Sequence, residues 1–499
     1  MILTRHAIVR VSDDHAEGAK TQAIIALHFV VSCAAVLAAY LMPSADLAES
    51  AAIRLECLIL SGLAVWLIWS WRTLAGGFFN PYGLFLAAAL LFNGGQAFLE
   101  VFGWNSQGLL AGTFSTNVLE RTLVLVMLSL AVLHLGALIA LAFTTPSAPR
   151  GAGTSGQGSA ADAFALRLIG SLLLAISIVP TALVLRDALN VASFSGYAGL
   201  FSRDFATGLQ AGPQVLASLL VPGSMFLLAG TKRTRGVLIS GTVIGLYAAV
   251  MFYLGYRAPA VMAMVAWAWL YDRTVRRISP WVLLGGAAAL MSVVFPLVRA
   301  VRDLNLADRA YFAAFLSTSN PFLSTLSEMG ASMNTVAYTM TLVPSTRPYD
   351  LGIGYAYSAL TVVPNLFWHV HPAVTHQYST WLSTTVSPGS YFGFQGFGFS
   401  FIAEAFLNFG WLGPLAAGLI GFGIARLYLW ADRSSRPARL ALVASYLSFI
   451  LVFARGESNL LVRPFFWYSL APYLAVLILS QAVARTRAAK PTFPRTPLA

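Results

Sequence analysis

Arginines on the connections between apolar segments are the first candidates for chemistry. Arg257 opens one apolar run, and Arg455 and Arg463 flank the connection between the last two. Arg299 and Arg302 are three residues apart, so they share one helix face. Arginine presents a planar fork that binds phosphate through two hydrogen bonds and keeps its charge when partly desolvated. These arginines predict a site for an anionic group, unless each only anchors a helix end by reaching lipid phosphates.

A carboxylate in an apolar segment is the second candidate. In "GFSFIAEAFLNFGWLG", Glu404 and Asn408 lie one helical turn apart among Phe, Ile, Ala and Leu. The apolar segment 398–430 is too long for one membrane crossing. We therefore expect Glu404 and Asn408 on a separate helical piece, with the span beginning after Gly410 and Pro414 in its first turn. A carboxylate there is costly without a partner or a task, and a salt bridge to an arginine is the alternative to catalysis.

Histidines and a second glutamate complete the candidate site. His369, His371 and His376 cluster in one long connection between apolar segments, without carboxylates at the spacing of a metal site. His376 is the second candidate for a general base, because imidazole titrates near neutral pH. Glu457 follows Arg455 closely and is expected to orient it, and Tyr256 precedes Arg257.

Several chemistries have no support in the sequence. There is no Asp-x-Asp pair, Walker loop or Gly-x-Ser-x-Gly element, so neither metal-dependent transfer from nucleotide sugars nor nucleotide hydrolysis is indicated. We expect no metal and no cofactor. His28 and His134, alone on apolar segments, are expected to be hydrogen-bonded core residues.

Composition sets the class of protein. Of 499 residues, 58% are hydrophobic and only 10% are charged, with a mean hydropathy of +0.73, whereas soluble domains carry about 25% charged residues. The chain is therefore a membrane protein, and its net charge of +12 does not point to nucleic acid, because basic residues collect at cytoplasmic helix ends. Cys33 and Cys57 form no disulfide framework.

The apolar runs predict an all-α protein with about twelve membrane spans. The first run is long enough to span and lacks a cleavage site. With the N-terminus inside, 20 of the 31 basic residues are cytoplasmic and 13 of the 19 acidic residues are outside, as the positive-inside rule requires. Both termini are then cytoplasmic. The predicted spans are 21–42, 52–71, 82–102, 120–143, 164–185, 213–231, 237–255, 258–272, 280–298, 400–429, 440–455 and 464–484.

Two connections differ from the short loops elsewhere. Residues 300–398 form a large outer, periplasmic loop whose aromatic composition predicts short amphipathic helices, for instance 322–340. The segment 144–163, rich in Gly, Ser and Ala, is expected to be a flexible cytoplasmic linker. The whole chain, 1–499, is expected to form one membrane domain.

The long outer loop, "GFSFIAEAFLNFGWLG" and "FARGESNLLVRPFFW" together resemble the Wzy-type O-antigen polymerases, or oligosaccharide repeat unit polymerases. The hydropathy of the whole chain fits that family, and the sequence detail covers chiefly 255–470. The family's Glu-x-x-x-Asn-x-Gly element maps onto Glu404, Asn408 and Gly410. Its Arg-Gly-acid element includes Arg455 and Glu457, where relatives often carry Asp. "GYRAP" is similar to the family's arginine-bearing outer turn.

The resemblance implies a metal-independent glycosyltransferase in the bacterial inner membrane, with its active site facing the periplasm. Such an enzyme transfers a growing glycan from undecaprenyl diphosphate to the next lipid-linked repeat unit. Its partners are undecaprenyl-diphosphate-linked glycans, membrane lipids and a chain-length regulator protein, with no nucleic acid. On this interpretation Arg257, Arg299, Arg302, Arg455 and Arg463 bind the diphosphate, Glu404 is the base with His376 as the alternative, and Asn408, Glu457 and Tyr256 support them.

Three other functions remain open at this point. An O-antigen ligase would use the same donor and pass the glycan to a lipid A core, but the element containing Glu404 favours the polymerase. A flippase or transporter would need ionisable groups along a path at mid-membrane or paired broken helices, whereas the charges here collect at one face. A scaffold would not explain the arginines and the glutamate.

Overall fold

The chain folds into helices joined by turns and short extended stretches. The computed structural model describes residues 2–42, 48–144, 156–200, 212–231, 233–303, 320–365, 367–388 and 397–488, and no strand occurs within these ranges. The prediction of an all-α membrane protein with many spans is confirmed.

The helices of the N-terminal half are mostly long. They are α1 (Ile2–Leu41), α2 (Glu49–Leu74), α3 (Pro81–Val101), α4 (Thr116–Ala142), α5 (Gly156–Gly199), α6 (Gly212–Ala217), α7 (Leu220–Ala229) and α8 (Thr234–Tyr253). Residues 145–155 of the predicted linker lie outside the described residues, and α5 begins inside the remainder of that segment.

The C-terminal half combines a few long helices with many short ones, and π-helical turns occur at Leu290–Val294 and Phe465–Leu470. These helices are α9 (Arg257–Thr274), α10 (Pro280–Ala289), α11 (Phe295–Asp303), α12 (Pro321–Gly330), α13 (Met333–Leu342), α14 (Ile353–Leu360), α15 (Pro372–Thr375), α16 (Tyr378–Val386), α17 (Phe401–Phe409), α18 (Gly413–Asp432), α19 (Pro437–Phe453), α20 (Asn459–Pro464) and α21 (Ala471–Ala488).

Each predicted span falls on a helix, and ten helical segments among the described residues are long and apolar enough to cross a membrane. The other two predicted spans correspond to α9 and α19. Helix α9 has 18 residues, three of them charged, and α19 has only 17 residues. The count of twelve spans therefore remains a prediction.

Close packing of α4 against α18 forms the centre of the bundle. A Cβ atom added at Gly136 would lie 1.9 Å from the carbonyl oxygen of Gly418, and one at Gly421 would lie 1.9 Å from that of Leu133. Glycines at these positions let the two backbones touch, which is how helices gain packing energy in a membrane. This contact holds α18, and with it the short helix α17 that precedes it.

Two histidines inside the bundle are hydrogen-bonded. The Nε2 atom of His28 lies 3.0 Å from the carbonyl oxygen of Ala131, and the ring of His134 contacts Ser70 Oγ at 2.8 Å and Tyr82 OH at 3.0 Å. The expectation that both histidines are hydrogen-bonded core residues is confirmed.

Part of the predicted outer loop is helical, although 304–319, residue 366 and 389–396 lie outside the described residues. The predicted single helix 322–340 is wrong, because α12 ends at Gly330 and α13 begins at Met333. Gly330 packs so closely on α3 that an added Cβ would lie 2.3 Å from the backbone nitrogen of Gln96. Asn320 caps the start of α12 by accepting hydrogen bonds from two backbone amides.

Candidate active site

A break in the backbone before α18 sets the position of Glu404 and Asn408. Helix α17 ends at Phe409, and Gly410 has a φ of +55°, which an L residue adopts only with strain. Pro414 lies in the first turn of α18. The prediction of a separate helical piece ending at Gly410 is confirmed. Asn408 donates to the carbonyl oxygen of Glu404 and accepts from the backbone of Gly352, so it joins α17 to the loop before α14.

Glu404 is enclosed by the turn between the last two long apolar segments. Only 1% of its surface is exposed. Its Oε2 accepts from the backbone nitrogen of Ser458 at 2.8 Å, and its Oε1 accepts from the hydroxyl of Ser458 at 2.6 Å. Both carboxylate oxygens therefore hold the turn 454–458 in place. Sequence reasoning missed Ser458, which lies 54 residues away along the chain.

Glu457, on the same turn, points to α16. Its carboxylate accepts from the backbone nitrogen of Tyr378 at 2.7 Å and from the hydroxyl of Ser379 at 2.7 Å. Burial raises the pKa of Glu457 above the usual glutamate value, and the hydrogen bonds from Ser379 and Tyr378 oppose that shift. The carboxylate thus connects the turn to the outer loop.

His376 and Glu457 line one small cleft, called here the histidine cleft. The Nδ1 atom of His376 lies 2.9 Å from the carbonyl oxygen of Pro372. A carbonyl only accepts, so Nδ1 is the donor, and in the neutral imidazole the lone pair is then on Nε2. The His376 ring is exposed and stacks on Tyr357 with 3.7 Å between ring centroids. The full lining is Gly354, Tyr357, Ser358, Ala373, His376, Tyr378, Glu457 and Asn459.

Behind this cleft, Arg347 and Asp350 form a pair that sequence reasoning did not predict. Arg347 Nη2 donates to Asp350 at 2.6 Å, and Tyr378 OH donates to the same carboxylate at 2.8 Å. The Arg347 guanidinium also lies over the rings of Tyr378 and Trp381, at 5.3 and 4.9 Å from their centroids. These contacts fix the segment 347–350 beneath α16.

Two of the predicted arginines meet around one glutamate, forming a group called here the arginine cluster: Arg257, Arg299 and Glu328. Arg257 donates to the carboxylate of Glu328, and Arg299 Nη1 lies 4.0 Å from the same carboxylate. Arg299 also donates to the hydroxyl of Ser324 at 2.7 Å. The structure therefore brings together α9, α11 and α12. Ser324 and Glu328 are four residues apart and so share one face of α12. This spacing is visible in the sequence, but the arginines that these side chains contact are not.

Arg455 lies beside the face of α3 that holds α12. Its guanidinium carbon is 5.5 Å from the centroid of the Phe92 ring, and its backbone oxygen accepts from Phe399 at 3.4 Å. Phe92 lies one turn from Gly95 and Gln96, which contact α12. One face of α3 is thus close to both Arg455 and the helix that carries Glu328.

The remaining predicted residues lie apart from these groups or have side chains outside the described part of the structure. Arg463 is exposed on α20, and Tyr256 precedes α9 with its ring 5.9 Å from that of Tyr197. Arg302 lies in α11, but its side chain is outside the described part of the structure. No group of three or more His, Cys, Asp or Glu that could hold a metal ion occurs among the described residues.

The comparison with protein families decides the identity of the chain. The family model described as O-antigen polysaccharide polymerase Wzy matches residues 24–487. The chain belongs to this family. It is therefore an O-antigen polymerase, a multi-pass membrane protein that acts on lipid-linked oligosaccharide repeat units. The Wzy family membership confirms the resemblance and does not favour the ligase. No curated protein and no solved structure matches the chain.

Proposed function

We propose that this polymerase transfers a growing glycan from undecaprenyl diphosphate to a sugar hydroxyl of the next lipid-linked repeat unit, at the periplasmic face of the inner membrane. The turn 454–458 is the observation that carries the proposal. It has Arg455 on one side, over Phe92 of α3, and Glu457 on the other side, in the histidine cleft. An arginine that could bind the leaving diphosphate and a cleft that could hold the base are therefore joined by a short segment that hydrogen bonds fix in place.

The arginine cluster and Arg455 are proposed to bind the donor diphosphate. As the bond between the anomeric carbon and the diphosphate oxygen breaks, negative charge collects on that oxygen. Fixed guanidinium groups stabilise such charge without rearranging, which is usually a large part of catalysis. Arg302 and Arg463 are proposed as further contacts for the same diphosphate or for neighbouring lipid phosphates.

His376 is proposed as the base for the acceptor hydroxyl. In the neutral ring its Nε2 carries the lone pair, and the ring is exposed, whereas both oxygens of Glu404 are occupied by Ser458 in an enclosed site. The acceptor oxygen would form the new bond to the anomeric carbon while its proton moves to Nε2. Glu404 remains the alternative base predicted from the sequence, and its geometry supports a role in positioning the turn. Asn408 and Glu457 hold α14 and α16 around it, and Tyr256 leads into Arg257.

The length of the polymer in cells that lack this gene tests the proposal. Loss of all chains beyond one repeat, with lipid A core carrying a single repeat, is the expected result. Loss of all glycan from that core would instead indicate a ligase.

Reporter fusions test the orientation. A fusion at Pro388 should report a periplasmic position, and fusions at Gly156 and Arg436 should report a cytoplasmic position. A cytoplasmic result at Pro388 would overturn the proposed mechanism, because the loop would lie on the wrong side of the membrane for this chemistry.

A further inference from the structure

Among the described residues, the arginine cluster holds two positive charges and one negative charge. Two guanidinium groups share the one carboxylate of Glu328. The Nη1 atom of Arg257 is buried and has no hydrogen-bond partner among the residues that the structure describes, and the side chain of Arg257 is only 13% exposed. A buried donor without a partner is costly, so the cluster has capacity for a further acceptor oxygen.

The neighbours of Arg257 favour an anion at this place. The Phe295 ring lies 5.7 Å from its guanidinium carbon and belongs to the same helix face as Arg299, four residues on. The ring shields the charge from water on one side. Reduced screening strengthens the attraction between an arginine and any anion that enters.

Glu328 is held in position by the backbone of its helix. Gln96 donates to Ser327 at 2.8 Å, and the backbones of Gly330 and Gly95 are in contact. The side chain of Glu328 is 31% exposed, with its Oε2 atom buried, so it can turn outward while the helix stays in place. A carboxylate that is fixed near two arginines at the edge of a buried site occupies the position of an anionic ligand.

We propose that Glu328 is the resident counter-anion of the diphosphate site. The inference rests on the proposed function of the arginines. The diphosphate of the lipid-linked substrate displaces the Glu328 carboxylate from Arg257, and the carboxylate returns when undecaprenyl diphosphate leaves. In the empty site the carboxylate compensates a charge that would otherwise be buried unpaired. In the occupied site it repels the diphosphate, and so it limits how tightly the leaving product is held.

Binding of inorganic pyrophosphate to the purified full-length protein tests this role. Glu328→Gln keeps the shape of the side chain and removes its charge. We expect it to bind pyrophosphate at least about tenfold more tightly than the original protein, because one repulsive charge at close range is lost. The apparent KM for lipid-linked repeat units should fall in the same variant.

Glu100→Gln is the matched control. Glu100 also pairs with an arginine, Arg54, at 3.8 Å, and it lies at the end of α3. This variant should leave pyrophosphate affinity unchanged. If Glu328→Gln does not accumulate as folded protein, Glu328→Asp replaces it, since a shorter carboxylate should bind Arg257 less well and raise pyrophosphate affinity by a smaller factor.

The outcomes separate the two proposals. If the original protein binds no pyrophosphate, the assignment of the arginines to the diphosphate fails. If it binds pyrophosphate and neither Glu328 variant changes the affinity, only the counter-anion role fails and the contact between Arg257 and Glu328 is structural.

Discussion

The arginine cluster and the pair formed by Arg347 and Asp350 both combine arginine with a carboxylate. They differ in how completely their hydrogen-bonding groups are paired. Asp350 accepts from both Arg347 and Tyr378, and Arg347 is covered by two aromatic rings. In the cluster, two arginines share one glutamate, and within the described part of the chain a buried nitrogen of Arg257 lacks a partner. The first arrangement stabilises a loop, whereas the second has capacity for a ligand. An arginine's partners therefore indicate its role better than its position at a helix end.

Replacing Arg257 and Arg347 by lysine, one at a time, is the strongest test of this comparison. Arg257→Lys keeps the charge and loses the planar fork, so we expect chain extension to fall by about a hundredfold, with pyrophosphate binding weakened and thermal stability little changed. Arg347→Lys should instead lower thermal stability and leave pyrophosphate binding intact. Both quantities are measured on purified protein. Equal effects of the two substitutions on pyrophosphate binding would remove the distinction between ligand site and structural pair.

Loss of the proposed base should slow the reaction without affecting the arginine cluster. For His376→Ala we expect turnover of lipid-linked repeat units to fall by about a hundredfold, the usual contribution of a general base. Pyrophosphate affinity should stay the same, because His376 lies in the histidine cleft. A single-turnover assay separates this loss from a loss of substrate binding. Turnover near normal would return the assignment to Glu404.

Glu404→Gln tests the enclosed carboxylate. The new amide NH₂ group brings two donors to a place where the carboxylate only accepted. The Ser458 hydroxyl can accept from one of them, and leaving the other unsatisfied in this buried site costs about 1–3 kcal/mol. We expect lower thermal stability and a fall in turnover of about tenfold, smaller than the general-base contribution. A stable but inactive variant would identify Glu404 as the base.

The smallest effect is expected at the edge of the arginine cluster. Arg299 is 38% exposed and lies 4.0 Å from Glu328, so Arg299→Lys keeps most of a screened interaction worth about 1 kcal/mol or less. Chain extension should fall less than about tenfold. A larger loss would show that Arg299, rather than Arg257, is the main diphosphate contact.

The sequence predicted those features that depend on residues close to one another along the chain. The class of fold followed from composition, and the helical piece that carries Glu404 followed from the length of its segment and from Gly410. The helix break at Gly330 was not predicted, because it results from a contact with α3 more than 200 residues away along the chain.

The hydrogen-bond and ion-pair partners of the candidate residues could not be predicted in the same way. The sequence identified Arg257 and Glu404 as candidates, but the carboxylate beside Arg257 is 71 residues distant and the serine beside Glu404 is 54 residues distant. Glu404 is consequently enclosed rather than open to substrate. Only folding decides which polar groups meet, and hence which arginine lacks a full set of partners.

The contact between Gly95 and Gly330 has a consequence for how this protein can diversify. It fixes the end of α12 against the membrane bundle, so substitutions beyond Gly330 that leave the contact intact do not move Glu328. The loop beyond this point can change with the sugars to be joined, while the arginine cluster, which we propose binds the diphosphate of the lipid carrier, keeps its geometry. A larger residue at Gly95 or Gly330 would separate α12 from α3, and changes in the loop would then also shift Glu328.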